Sequence, residues 1–167
     1  MRIVELILDP TDEQSGIEAI SVVETPAIEE NFIALNKHEV LLKEVDKEKR
    51  ILMGAALVPN KQIFRRNEKT DEDYYIFFSE DTVRKASELY FQKSNHQNAT
   101  LEHSEKLKGT TIVESWIVED SKTDKSALYG MDLPKGTWMV SMKIEDDALY
   151  EKAKTGEVKG FSIEGYF

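Results

Sequence analysis

Apolar and polar positions alternate over short stretches for most of this chain, the two-residue period of a strand, and the helical period surfaces only twice. Residues 2–8 predict a first strand that stops at the Asp9-Pro10 turn signal, with a polar loop over 11–16. Residues 17–22 form an extended segment that Thr25-Pro26 ends, because a residue before proline is pushed out of the helical region. Residues 31–35 are apolar enough for another strand. The run 51–58 (ILMGAALV), closed by Pro59-Asn60, has the pattern of a strand covered on both faces. Ile63-Phe64-Arg65-Arg66 leads through a polar turn to the β-prone Tyr74-Tyr75-Ile76-Phe77-Phe78.

The first helix opens at Ser79-Glu80-Asp81-Thr82, where Ser79 or Asp81 can cap it and acidic residues suit its first turn. Val83, Ala86, Leu89 and Tyr90 fall at helical spacing, and the helix is expected to end near Ser94-Asn95. Over 111–119, Ile112, Trp116 and Val118 are expected on one face and Val113 and Ile117 on the other. Leu133-Pro134-Lys135-Gly136 is a turn before a strand over 137–144 in which Trp138, Val140 and Met142 face one way. Asp146 or Asp147 caps a short helix carrying Ala148, Leu149 and Ala153 and closed by Gly156, and a last strand follows over 158–167. Many strands with two modest helices predict an α+β domain, mainly an antiparallel barrel flanked by helices, rather than a parallel βαβ sheet.

Charge sharpens this picture. Lys and Arg number 22 against 32 Asp and Glu, a formal charge of −10, so neither nucleic acid nor an anionic membrane is an expected partner. The densest charge lies over 38–50, which places a boundary between a β-rich arm over 1–50 and a main domain over 51–167. There is no cysteine, which removes disulfides, thiol catalysis and zinc ribbons. No run of about 18 apolar residues and no cleavable signal is present, so an intracellular, unsecreted protein is expected.

Few motifs carry chemistry. Asp120-Ser121-Lys122-Thr123-Asp124-Lys125-Ser126 alternates oxygen ligands, but lysines stand at its third and sixth places, where a calcium loop needs an oxygen and a glycine. His38-Glu39 lacks the second histidine of a zinc protease, and no phosphate-binding or dinucleotide glycine pattern occurs, so neither metal nor cofactor is expected. Of the three histidines, His38 and His96 lie in polar surroundings, while His103 follows a short β-like segment. Ser162 sits in Gly160-Phe161-Ser162-Ile163-Glu164-Gly165, a small hydroxyl in a β-prone stretch bracketed by glycines. Glycines there suit a bulge or the close approach of another backbone, such as a substrate strand. The segment is not a hydrolase nucleophile elbow, since no glycine stands two residues after the serine.

Four blocks in order then resemble a known family: Thr100-Leu101-Glu102-His103, the stretch 113–120, Leu133-Pro134-Lys135-Gly136-Thr137-Trp138-Met139, and 158–165. The tract from Gly54 to Phe167 looks like the XkdF-like serine proteases of tailed phages, relatives of the prohead maturation proteases, and 16–29 is similar to the arm that precedes their domain. The resemblance implies an assemblin-like barrel and a serine endopeptidase that trims scaffold and major capsid proteins, and itself, inside the procapsid in the bacterial host cytoplasm. It implies Ser162 as nucleophile and His103 as general base, and a homodimer by analogy.

The family's third catalytic member usually lies beyond the serine, where only Ile163, Glu164, Gly165, Tyr166 and Phe167 follow here, implying a domain shortened at its end. Glu164 shares the strand face of Ser162, which makes it a poor candidate to reach behind His103 without a bend. Glu102, Glu119 and Asp120 are the upstream acids that could substitute. The alternatives are a protease fold kept as a non-enzymatic component of the phage head, and an unrelated β-rich domain with a bulged last strand.

Overall fold

The computed structural model describes residues 1–9, 11–30, 32–34 and 49–166. In chain order its strands are β1 (Arg2–Glu5), β2 (Gly16–Val23), β3 (Ile33–Ala34), β4 (Ile51–Leu57), β5 (Ile63–Asn67), β6 (Glu72–Phe77), β7 (Ala99–Leu101), β8 (Glu105–Lys106), β9 (Thr110–Ile117), β10 (Trp138–Ile144) and β11 (Gly160–Tyr166). The helices are α1 (Glu80–Gln92) and α2 (Asp147–Lys154). Among the described residues no helix is long and apolar enough to cross a membrane.

The caps fall where short polar side chains can reach the first free amides. Ser79 accepts from the Thr82 amide at the start of α1, and Asp146 accepts from the Leu149 amide at 2.8 Å at the start of α2. Val83, Ala86 and Tyr90 form the buried stripe of α1, and Tyr90 meets Trp138 of β10 edge to face at 5.4 Å. Trp138 is wholly buried; truncating such a side chain to alanine costs about 3–5 kcal/mol.

The α+β class holds, but the closed barrel does not. The strands form open sheets in the orders β1-β6-β5, β3-β4-β10-β9 and β11-β2-β7-β8. Two pairings, β1 with β6 and β2 with β7, are parallel. Gly54 of β4 lets the second and third sheets meet. A side chain there would lie 2.8 Å from Phe32 Cβ and 3.3 Å from the Phe161 ring, and those two rings pack 5.1 Å apart.

A bulge corrects the expected faces of β9. Ser141 pairs with Glu114 and Met142 with Ile112, so Val113 is an extra residue, left 49% exposed. Ile112 therefore shares a face with Ser115 and Ile117 instead of Trp116, and Ser115 Oγ accepts a bond from the Trp138 indole at 2.8 Å.

β2 and β3, both from the first fifty residues, pair with strands that lie beyond residue 50. The charged stretch expected to divide an arm from a main domain lies outside the described residues except for Lys49 and Arg50.

Candidate active site

Phe161 of β11 is buried and Ile163 packs against the same core, so alternation turns Ser162 and Glu164 to the other face of the sheet. Ser162 pairs in register with Ser21 of β2, and Ser21 with Thr100 of β7. Three hydroxyl-bearing residues thus lie in a row across three strands, neighbouring Cβ atoms being roughly 5 Å apart in such pairs.

His103 stands just beyond β7, in the tight turn to β8. Glu102 and His103 both adopt left-handed backbone, with φ of 51° and 59°, and the Ser104 amide closes the turn on the Leu101 carbonyl at 3.1 Å. Residues with a Cβ pay on the order of 1–2 kcal/mol for that conformation. Contacts from β2 hold it in place: the Glu102 amide donates to the Val22 carbonyl at 3.0 Å, and Glu102 Oε1 accepts from the Glu24 amide at 2.7 Å. The His103 amide donates to Ser21 Oγ at 2.9 Å.

The imidazole is oriented by Glu164. Its Nδ1 lies 3.0 Å from Glu164 Oε1, and the same oxygen accepts a bond from Thr100 Oγ1 at 2.5 Å. A carboxylate on Nδ1 assigns the ring proton to that nitrogen and leaves Nε2 with its lone pair, the tautomer a general base requires. The His103 and Glu164 side chains are 44% and 29% exposed, so this pair faces solvent over part of its surface. Ser162 is only 7% exposed, and its hydroxyl makes no hydrogen bond to another described residue.

Glu164 reaches His103 from the sheet face it shares with Ser162. Glu164 pairs with Ala19 while Gly165 pairs with Ile17, so Glu18 of β2 is an extra residue and the register shifts beside the glutamate. The bulge lies on β2, and the small Ala19 opposite Glu164 leaves the way across that strand clear. The bracketing glycines serve this chain's own backbone. A side chain at Gly160 would meet Pro26 Cγ at 2.5 Å and the Glu30 carbonyl at 2.7 Å, and one at Gly165 would run into the Gly16 carbonyl.

The upstream acids are engaged elsewhere. Glu119 pairs with Arg84 of α1 at 2.8 Å, Asp120 accepts from the Lys122 amide at 2.8 Å, and the Glu102 carboxylate is bound to the Glu24 amide as described. His96 stacks on Phe91 with rings 6.3 Å apart, and His38 lies outside the described residues. The five arginines also have partners away from Ser162: Glu72 for Arg2, Asp147 for Arg50, the Phe64 carbonyl for Arg65, Asp71 and Asp73 for Arg66, and Glu119 for Arg84.

Among the described residues three carboxylates are shifted: Asp9, held low by bonds from the Thr11 hydroxyl and amide, and two in a cluster around Trp116. The Lys125 ammonium, 2.8 Å from both Glu114 oxygens, holds Glu114 below the usual carboxylate range. Partial burial pushes Asp124 upward, but bonds from the Ser126 hydroxyl and amide and from the Trp116 indole outweigh it, leaving Asp124 low. Among the described residues no group of three or more His, Cys, Asp or Glu could hold a metal ion. A groove of about 480 Å³ between α1 and β9 is lined by Arg84, Phe91, Val113, Trp116 and others, but not by Ser162, His103 or Glu164.

The family described as "Putative phage serine protease XkdF" matches residues 37–167, a stretch that contains Thr100, His103, Ser162 and Glu164 and begins after Ser21. No curated protein and no solved structure matches the chain.

Proposed function

Because this chain belongs to the XkdF family of phage serine proteases, we propose that it is a serine endopeptidase in which Ser162, His103 and Glu164 form the catalytic chain. The observation that carries this reading is the 3.0 Å contact between His103 Nδ1 and Glu164, on the sheet face that also bears Ser162. Ser162 Oγ attacks the scissile carbonyl while His103 Nε2 takes its proton and then delivers it to the leaving amine. Glu164 stabilises the imidazolium formed in between, and Thr100 fixes the carboxylate that does so. Water then repeats the sequence on the acyl-enzyme, with the proton moving by the same nitrogen. Serine and histidine close on one another when substrate is seated, as catalytic hydrogen bonds commonly do.

The substrates are extended segments of phage scaffold and capsid proteins during head maturation, and a segment of this chain itself, in the host cytoplasm within the procapsid. Family membership supports this assignment. Co-expression with a scaffold protein tests it: cleavage is expected with the unaltered chain and is lost in Ser162→Ala and in His103→Ala. Processing that continues in either variant overturns the proposal. A second reading, a protease fold kept as a non-enzymatic head component, draws on the unbonded and nearly buried Ser162 hydroxyl. It predicts no processing at all and normal assembly of both variants.

A further inference from the structure

The strand that organises the candidate site is β2, and its residue at the centre is Ser21, wholly buried in the middle of a strand otherwise rich in apolar residues. A hydroxyl in that position costs free energy unless bonded, and this one is bonded on both sides. It donates to the Thr100 carbonyl at 3.3 Å and accepts the His103 amide at 2.9 Å. The second bond fixes a residue whose backbone would otherwise relax. Glu102 and His103 are consecutive left-handed residues, and neither is glycine or asparagine.

Two further ties from β2 hold this turn, and both act at Glu102, through the Val22 carbonyl and the Glu24 amide. Ser21 alone among the described residues bonds the amide of His103 itself. The same serine lies directly opposite Ser162 in the β2–β11 register. One residue therefore neighbours the nucleophile on one side and holds the backbone of the base on the other. Its hydroxyl is committed to the Thr100 carbonyl and the His103 amide, which leaves no proton-transfer role for it. Residues 1–36 are outside the family match, so nothing in that match assigns Ser21 a part in the reaction.

We infer that Ser21 is a positioning residue: its hydroxyl holds the His103 amide in the left-handed turn and so sets the imidazole against Glu164, on the sheet face that bears Ser162. This rests on the catalytic reading of Ser162 and His103. With the hydroxyl removed, the turn relaxes toward ordinary backbone, the ring leaves its place and acylation slows, while the nucleophile and its strand are untouched. A glycine at 102 adopts the left-handed conformation without strain, so it reduces the need for the tie from Ser21.

The test uses the full chain and a fluorophosphonate that labels activated serines, with amide hydrogen exchange read residue by residue. In Ser21→Ala, labelling of Ser162 is expected to slow about tenfold and exchange at the His103 amide to rise by a similar factor, the equivalent of one neutral hydrogen bond. Exchange at Ile163 and Glu164 of β11 is expected to stay unchanged. The Ser21→Ala, Glu102→Gly double variant is expected to recover most of the labelling rate, and its relaxed turn also provides a folded variant should the single one be unstable. Unchanged labelling in Ser21→Ala overturns the proposal. So does a loss that Glu102→Gly does not rescue and that comes with faster exchange throughout β2, β7 and β11, since that is the signature of a merely structural serine. If the unaltered chain is not labelled at Ser162, the catalytic reading fails and this proposal with it, an outcome distinct from both others.

Discussion

Replacing Glu164 by glutamine preserves the size of the side chain and changes only what it offers to His103. The carboxylate accepts from both Thr100 Oγ1 and His103 Nδ1, through the same oxygen. A glutamine that keeps its oxygen at that place still accepts from both and holds the same tautomer, but it carries no negative charge to stabilise the imidazolium formed when His103 takes the Ser162 proton. The same change in a buried serine-protease triad costs about 10⁴ in rate. In that triad the loss comes from a wrong tautomer; here the shared oxygen keeps the tautomer and Glu164 is 29% exposed, so the expected loss is about 10–10². The stability cost is small, about 1 kcal/mol for one hydrogen bond. The assay is the second-order rate of fluorophosphonate labelling at neutral pH, with thermal unfolding as the control for folding. Glu119→Gln and Asp120→Asn are expected to label at the unaltered rate, because those carboxylates are bound to Arg84 and the Lys122 amide. A Glu164→Gln variant that labels within a factor of about three of the unaltered chain, roughly 0.7 kcal/mol, would refute the reasoning.

Other consequences follow from the packing and the charges. Glu114 and Asp124 are held low, so each adds stability above its unfolded value, near 4, and loses that contribution as the pH falls through its folded value. Thermal unfolding between pH 7 and 3 should therefore show a steeper acid loss for the unaltered chain than for a Glu114→Gln, Asp124→Asn variant; parallel curves would contradict this. Gly54→Ala places a methyl 2.8 Å from Phe32 Cβ and is expected to destabilise by about 1–3 kcal/mol in urea unfolding, with no effect expected if the sheets can part freely. His96→Ala is expected to leave the labelling rate unchanged, since that ring stacks on Phe91 and contributes nothing to the site; a large loss would mean that the base has been misassigned.

The elements were legible in the sequence wherever one residue type dominated a local choice. Ser79 and Asp146 cap the helices because a short acceptor reaches free amides, and Ile51–Leu57 form a strand because nothing in that run breaks an apolar extended segment. Strand order was not legible. The crossing of β2 between β11 and β7 is a long-range fact, and it decides which acid reaches His103. Glu164 looked badly placed on spacing alone because it shares a face with Ser162, but pairing with β2 and β7, from far away in the chain, brings His103 to that same face. The same limit hid the extra residue at Val113, which turned Ile112 away from Trp116. Thr100 stood in a resembling block and Ser21 in the resembling arm, but nothing gave either a role, and pairing alone brings them into the row with Ser162.

The central claim is that Ser162 is the nucleophile and His103 the base that activates it. The most direct measurement is peptide mass analysis of the full chain after reaction with a serine-directed fluorophosphonate, made alongside His103→Ala. The account predicts a single adduct on the peptide carrying Ser162, absent in the His103 variant. An adduct on another serine, no adduct on the unaltered chain, or equal labelling of both proteins would contradict it.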